Sequence, residues 1–203
     1  MKSKRLGSAL CALMLFPLIG FGGALKDDFA SAKHPTRQAL RGEWKFAENV
    51  ASCVSDPELY KKFKNHGPIL RWPTKFTDGT VAFELKAKGC SRIVITLNEE
   101  GHVFRISLND EQKTRIFGWV GRSSKTNKPK TIAKDGVPTA GAIDGKWMKG
   151  RMVFSGNECR ITLGDYTAKL NHPSIGRKKG EFTISFASGE CAIRGVSVTP
   201  AEG

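Results

Sequence analysis

The acidic residues are the first place to look for chemistry in this chain. Hydrolysis of a glycosidic bond takes two carboxyl groups facing each other across about 5–9 Å. On one strand that demands acids two positions apart, because alternate side chains share a face. The acidic neighbours here, Asp27-Asp28, Glu99-Glu100 and Asp110-Glu111, are adjacent instead, so their side chains diverge in an extended chain. They fall near the N-terminus or in turns, where solvated acids are expected. Glu84 is the best strand-borne acid and is expected at the surface. The histidines, His34, His66, His102 and His172, show no H-x₃-H spacing for a metal, and no G-x-S-x-G elbow presents a nucleophilic serine. No catalytic constellation assembles from these residues, and no cofactor or metal is expected.

Aromatic and basic side chains offer a binding chemistry. Trp and Tyr rings stack well at half-wet sites because one end is apolar and the other polar. Trp44 and Trp147 sit in strand patterns and read as core. Trp72, between Arg71 and Pro73, and Trp119, between Gly118 and Val120 at the start of a basic stretch, are the candidate exposed platforms. Arg115 and Arg122 are candidates for charge-assisted hydrogen bonds to an anionic ligand.

The N-terminus sets the compartment in which that chemistry would operate. Lys2, Lys4 and Arg5 precede an uncharged run from Ala9 to Leu25, and small residues follow. This three-part pattern predicts a secretory signal peptide over residues 1–32, cleaved after Ala32 or, alternatively, after Ala24. A single domain is then expected over residues 33–203, without a membrane span. The formal net charge of +14 comes mostly from that domain. Export removes nucleic acid as a partner and leaves carbohydrate or another envelope polyanion. No oligomeric state follows from the sequence.

Cys53, Cys90, Cys159 and Cys191 are an even set in an exported chain, which predicts two disulfides. Of the three pairings, Cys53–Cys90 with Cys159–Cys191 is favoured because both loops stay local. Each would stabilise the fold by on the order of 3–4 kcal/mol. Zinc is disfavoured because no C-x₂-C pair is present.

The elements that must position these residues are strands. Val81, Phe83 and Leu85 alternate with Ala82, Glu84 and Lys86; Ile93, Ile95 and Leu97 alternate with Arg92, Val94 and Thr96. Phe104, Ile106 and Leu108, and then Phe182, Ile184 and Phe186, repeat the pattern. Period two with one apolar face reads as half-buried antiparallel strands. Turn residues punctuate the runs at Lys88-Gly89, Asn98 to Gly101, Ser155 to Glu158 and Ala187 to Glu190. One short helix is predicted around Asp56 to Phe63, with Pro57 in its first turn. The stretch from Lys113 to Lys134 holds seven basic residues and no acid, with a Gly/Ser/Asn/Pro-rich centre from Gly121 to Pro129, and reads as a long exposed basic loop. The fold class is therefore all-β: a two-sheet antiparallel jelly-roll sandwich.

Several motifs carry a family resemblance. They are the Trp147-led strand, Arg160-Ile161-Thr162-Leu163-Gly164, Asn171-His172-Pro173-Ser174-Ile175, Lys178-Lys179, Phe182-Thr183-Ile184 and the closing Ala192 to Val198. In this order they resemble the end of the concanavalin A-like lectin/glucanase fold. More narrowly, they are similar to secreted, laminin G-like bacterial domains related to the 3-keto-disaccharide hydrolase family. Gly42-Glu43-Trp44-Lys45 resembles the opening strand of those domains, and Gly101-His102-Val103-Phe104 a middle strand. The chain departs from that family at Cys90-Ser91-Arg92, where the hydrolases carry Asn-Ser-Gly, and at Trp147-Met148, where they carry Trp-His. The laminarinase pattern Glu-x-Asp-x-x-Glu is absent. The resemblance implies fold and a carbohydrate connection. The preferred function is a non-catalytic carbohydrate-binding or envelope-associated module; a sugar hydrolase and an envelope scaffold or partner-binding protein are the alternatives.

Overall fold

Alternation of apolar and polar side chains drives the chain into strands, and the apolar halves then need a partner surface. In the computed structural model, which describes residues 24–202, that need is met by two facing sheets. The first strands are β1 (Leu25–Asp27), β2 (Gln38–Leu40), β3 (Lys45–Ala47) and β4 (Val50–Val54), followed by the helix α1 (Pro57–Lys62). Next come β5 (Ile69–Phe76), β6 (Gly79–Lys88), β7 (Arg92–Asn98), β8 (His102–Leu108), β9 (Arg115–Gly118) and β10 (Lys130–Ala133). The chain ends with β11 (Trp147–Ser155), β12 (Glu158–Leu163), β13 (Tyr166–Asn171), β14 (Lys179–Ala187) and β15 (Glu190–Pro200).

An eight-stranded sheet runs β13-β12-β11-β6-β15-β4-β3, with β1 added along β15. A seven-stranded sheet runs β10-β9-β8-β7-β14-β5-β2. The pairings between strands are antiparallel, as expected of the predicted sandwich. Aromatic contacts join the two layers. Phe83 of the first sheet lies 5.9 Å from Phe182 of the second, and Phe154 meets Phe104 edge-on at 5.7 Å. Gly150 sits opposite Phe83 in the ladder, and a Cβ there would come within 2.1 Å of the Phe83 ring. The helix forms as predicted: Asp56 caps it by accepting from the backbone N–H groups of Glu58 and Leu59, with Pro57 in the first turn.

Three expectations meet further detail in the structure. Residues ahead of 33 are packed into the fold. Asp27 and Phe29 are buried, and β1 pairs with β15 from Leu25↔Val198 to Asp27↔Val196. The residues before Ala24, which hold most of the predicted signal segment, lie outside the described residues.

The basic stretch is not one loop. It contains β9 and β10, which extend the seven-stranded sheet, and leaves a connection over residues 119–129. A four-residue strand such as Arg115–Gly118 shows too few alternations to stand out among lysines.

All four cysteines are buried, and the strand order holds the favoured Cys159–Cys191 pair apart. Cys159 lies opposite Phe154, which lies opposite Gly79, whereas Cys191 lies opposite Ala87. Along β6, Gly79 and Ala87 are separated by about 26 Å at ~3.3 Å per residue. A disulfide needs Cα atoms within about 7 Å, so Cys159 and Cys191 do not meet. Cys53 instead faces Cys191 across the β4–β15 ladder, and the Cys90 thiol donates to the neighbouring Glu190 carbonyl. Cys159 and Cys191 are close in sequence but sit on β12 and β15, which β11 and β6 separate in the sheet.

Candidate functional site

On the seven-stranded sheet the alternate side chains that do not enter the core line up across the strands. Arg71 on β5 pairs in register with Thr183 on β14, Thr183 with Thr96 on β7, Thr96 with Arg105 on β8, and Arg105 with Phe117 on β9. A second row beside it runs Ile69, Ser185, Val94, Ser107 and Arg115. The loop after α1 rises over one end with Asn65, His66 and Gly67. Together they enclose a cleft of about 420 Å³ whose floor is hydroxyl- and guanidinium-bearing.

A hydrogen-bonded chain crosses one end of this floor. Arg71 Nε lies 2.7 Å from Glu181 Oε2, an ion pair by distance although the N–H is not aimed along the contact. The other Glu181 oxygen accepts from Asn98 Nδ2 at 2.8 Å. Asn98 Oδ1 is 2.8 Å from His102 Nδ1, and the Arg105 guanidinium meets His102 Nε2. An amide oxygen only accepts and a guanidinium only donates. His102 is thereby assigned as the neutral tautomer with its proton on Nδ1. Burial, and then the charge of Arg105, pull its pKa down to about 4. The turn that delivers His102 uses Gly101 at φ +114°, a conformation open to glycine. Sequence reasoning passed over Asn98, Glu181 and Arg105. Their outward positions in alternating runs were legible, but their convergence from three strands was not.

The predicted binding residues are distributed differently. Trp72 is fully buried: it stacks on Phe182 at 5.6 Å and donates its indole N–H to Asp27 at 2.8 Å. Trp119 is 4 % exposed, packed beside His102 and Phe117 with Arg105 over its ring. Neither is an open platform. Trp44 and Trp147, expected in the core, are half-buried. Trp147 faces outward because Met148 takes the inward position of β11, and the cations of Arg194 and Lys86 cover its ring at 4.1 and 5.3 Å. Arg115 is half-buried on the same outer face as Arg105 and donates to the Gln112 carbonyl. Arg122 is exposed in the 119–129 connection, away from the cleft. That connection is held at its start by Arg177, which donates to the carbonyls of Trp119 and Gly121 at 2.6 and 2.8 Å.

A larger hollow of about 680 Å³ lies on the other sheet, around Ser52, Lys86, Lys88 and Ala192. Its lining mixes Glu43, Asp56 and Glu190 with three lysines, so it has no charge of one sign to select a ligand. Among the described residues no group of three or more His, Cys, Asp or Glu is placed to hold a metal, and no helix is long and apolar enough to cross a membrane.

No protein-family model matches the chain, and no curated protein matches it. Solved structures do. The β-glucanase of Bacillus licheniformis superposes with a TM-score of 0.62 at 11% identity, covering 89% of this chain and 99% of that one. A β-1,3-1,4-glucanase (lichenase) from a mouse hindgut metagenome gives 0.61 at 10% identity, over 88% of this chain and all of the other. The carbohydrate-binding module CBM66 from Bacillus subtilis gives 0.54 at 13% identity, over 79% and 93%. The chain therefore has the concanavalin A-like jelly-roll fold, as the sequence motifs implied.

Proposed function

We propose that this protein is an exported, non-catalytic carbohydrate-binding module that takes its ligand in the cleft over the seven-stranded sheet. The observation that carries the reading is the polar floor: Thr96, Ser107 and Thr183 are buried yet turned away from the core, beside Ser185 and Asn98. Hydroxyl-rich ligands exchange hydrogen bonds with such a surface. The likeness of the fold to glucanases and to a carbohydrate-binding module supports the same reading. Binding without hydrolysis is favoured because Glu181, the acid shared by the two clefts on this face, is already engaged by Arg71 and Asn98. Glycosidic hydrolysis takes a second carboxyl group across from the first. Glu99 and Glu100 stand at the rim, and Glu99 is paired with Lys178.

A glycan array with the wild-type protein and Ser185→Trp, which fills the cleft, tests the reading. Binding to at least one glycan, lost in the variant with its melting transition intact, is the expected result. Binding that Ser185→Trp leaves untouched refutes the site, and release of reducing sugar from a bound glycan refutes the non-catalytic assignment.

Export is part of the proposal. With β1 in the sheet and Asp27 buried, cleavage after Ala24 leaves the domain whole, whereas cleavage after Ala32 removes an edge strand. Mass spectrometry of the exported protein should find Leu25 as its first residue; a start at Lys33 contradicts this.

A further inference from the structure

We propose that the ligand of this cleft is an acidic saccharide, whose anionic group is received between the guanidinium groups of Arg92 and Arg105. The inference rests on the carbohydrate-binding reading and specifies the class of sugar.

Six cationic or cationisable side chains line the cleft: Arg41, His66, Arg71, Arg92, His102 and Arg105. The acid lining it is Glu181, and its carboxylate is occupied by Arg71. Among the described residues neither Arg92 nor Arg105 has an ion-pair partner. Arg92 reaches only neutral acceptors at long distance, the Tyr60 hydroxyl at 3.4 Å and the Asn65 carbonyl at 3.5 Å. Arg105 touches neutral His102 through one nitrogen, while its Nε is buried and without an acceptor. The two guanidinium groups feel one another: burial and then Arg92 weaken the hold of Arg105 on its proton. A half-buried charge with an unfilled donor and a like charge for a neighbour is destabilising by itself, and an anion relieves both defects. Guanidinium forks fit carboxylate, sulfate and phosphate oxygens in two-point contacts.

The surroundings agree with a polar, charged ligand. Thr96 and Thr183 lie between Arg105 and Arg71 in the same cross-strand row, so sugar hydroxyls on either side of the anion meet hydroxyl partners. Trp72 and Trp119 are buried, and the tryptophans do not provide the stacking platform that a neutral sugar face would use. The cationic residues of the cleft are separate from the lysines of the 119–129 connection, which are exposed.

The test is calorimetric titration of the full exported chain with three oligosaccharides of equal length: a uronate, a sulfated sugar and a neutral β-glucan. Wild type, Arg92→Gln, Arg105→Gln, Arg105→Lys and a Lys125/Lys128→Gln loop variant are compared, each with its thermal transition recorded. The proposal expects an acidic oligosaccharide to bind at least tenfold more tightly than the glucan, and added salt to weaken it. Each Arg→Gln change should cost about 10–100-fold in affinity, as for loss of a charged hydrogen bond, with Arg105→Lys intermediate. The uronate and sulfate arms tell which anion is preferred. Equal binding of the glucan with no effect of Arg105→Gln overturns the acidic ligand and leaves the carbohydrate site standing. Binding abolished by the loop variant but not by Arg92→Gln or Arg105→Gln also overturns it. Failure of the folded wild type to bind any of the three overturns both readings.

Discussion

Arg37 Nη1 reaches both carboxylate oxygens of Asp27, at 2.7 and 2.9 Å, with the two side chains 2% and 1% exposed. The other end of the guanidinium donates to the carbonyls of Ser31 and Ala32, and its flat face lies 4.1 Å from the Phe46 ring centroid. Trp72 donates to the same carboxylate. The N-terminal segment is thus pinned to the centre of β5 by one buried anion with a full set of donors.

Removing one partner of such a pair strands the other in a low-dielectric interior, at about 3–5 kcal/mol. Asp27→Asn should lower unfolding free energy by that amount in urea titrations, and Arg37→Met by a similar one. The double variant should lose less than the sum of the two, because the second change removes the stranded charge. A loss below about 1 kcal/mol for either single change would contradict the role assigned to the pair.

Gly150 is dictated by its neighbour. With Phe83 directly across the ladder and its ring within 2.1 Å of where a Cβ would stand, Gly150→Ala overpacks the junction of the two sheets. A loss of about 1–3 kcal/mol is expected. Combining it with Phe83→Leu, which shrinks the obstructing ring, should recover part of that loss; a purely additive double mutant would place the strain elsewhere.

Much of this architecture was legible in the alternation itself. Phe83, Ile95, Ile106 and Ile184 face the core as their runs predicted. The same rule, applied to Leu70-Arg71-Trp72, puts Trp72 inward; the adjacent Arg and Pro made it read as a strand end. Trp147 and Met148 show the opposite misreading, since Met148 is the inward member. What alternation does not carry is register between distant strands. Arg71, Thr183, Thr96 and Arg105 become one row only when β5, β14, β7 and β8 are placed side by side. Cys53 and Cys191 are opposed for the same reason. Asp27 was read as a solvated acid because its run is apolar and signal-like, and its partner Arg37 gives no local pattern.

His102 gives the cleft a pH dependence with a definite sign. Its folded-state pKa is lowered to about 4 from the ordinary 6.5. Between those values the unfolded chain binds the proton and the folded chain does not, so this group's contribution to stability is complete above about 6.5 and is lost as pH falls toward 4. The groups facing the ring are Asn98 on β7, Arg105 on β8, Trp119 beyond β9 and, through the His102 carbonyl, Arg177. Proton NMR titration should place the His102 midpoint near 4. In Arg105→Met it should rise yet stay below 6.5, because burial, the larger cause, remains. An unshifted midpoint in the wild type would mean the ring is solvated and the network open.

Cys159 supplies a chemical readout of the fold. It is fully buried, and burial, its largest influence, pushes the thiol pKa up to about 12. Thiolate, not thiol, attacks alkylating reagents, so at pH 8 this cysteine should stay unmodified by iodoacetamide in the native protein and react fully in urea. Its distance from Cys191 along the sheet also forbids a bridge between them without unfolding. Peptide mapping after air oxidation of the folded protein should recover Cys159 as a thiol, with any cross-link confined to Cys53, Cys90 and Cys191. A Cys159–Cys191 peptide from folded protein would require β12 and the start of β15 to lie side by side, and the strand order of the eight-stranded sheet would then be wrong.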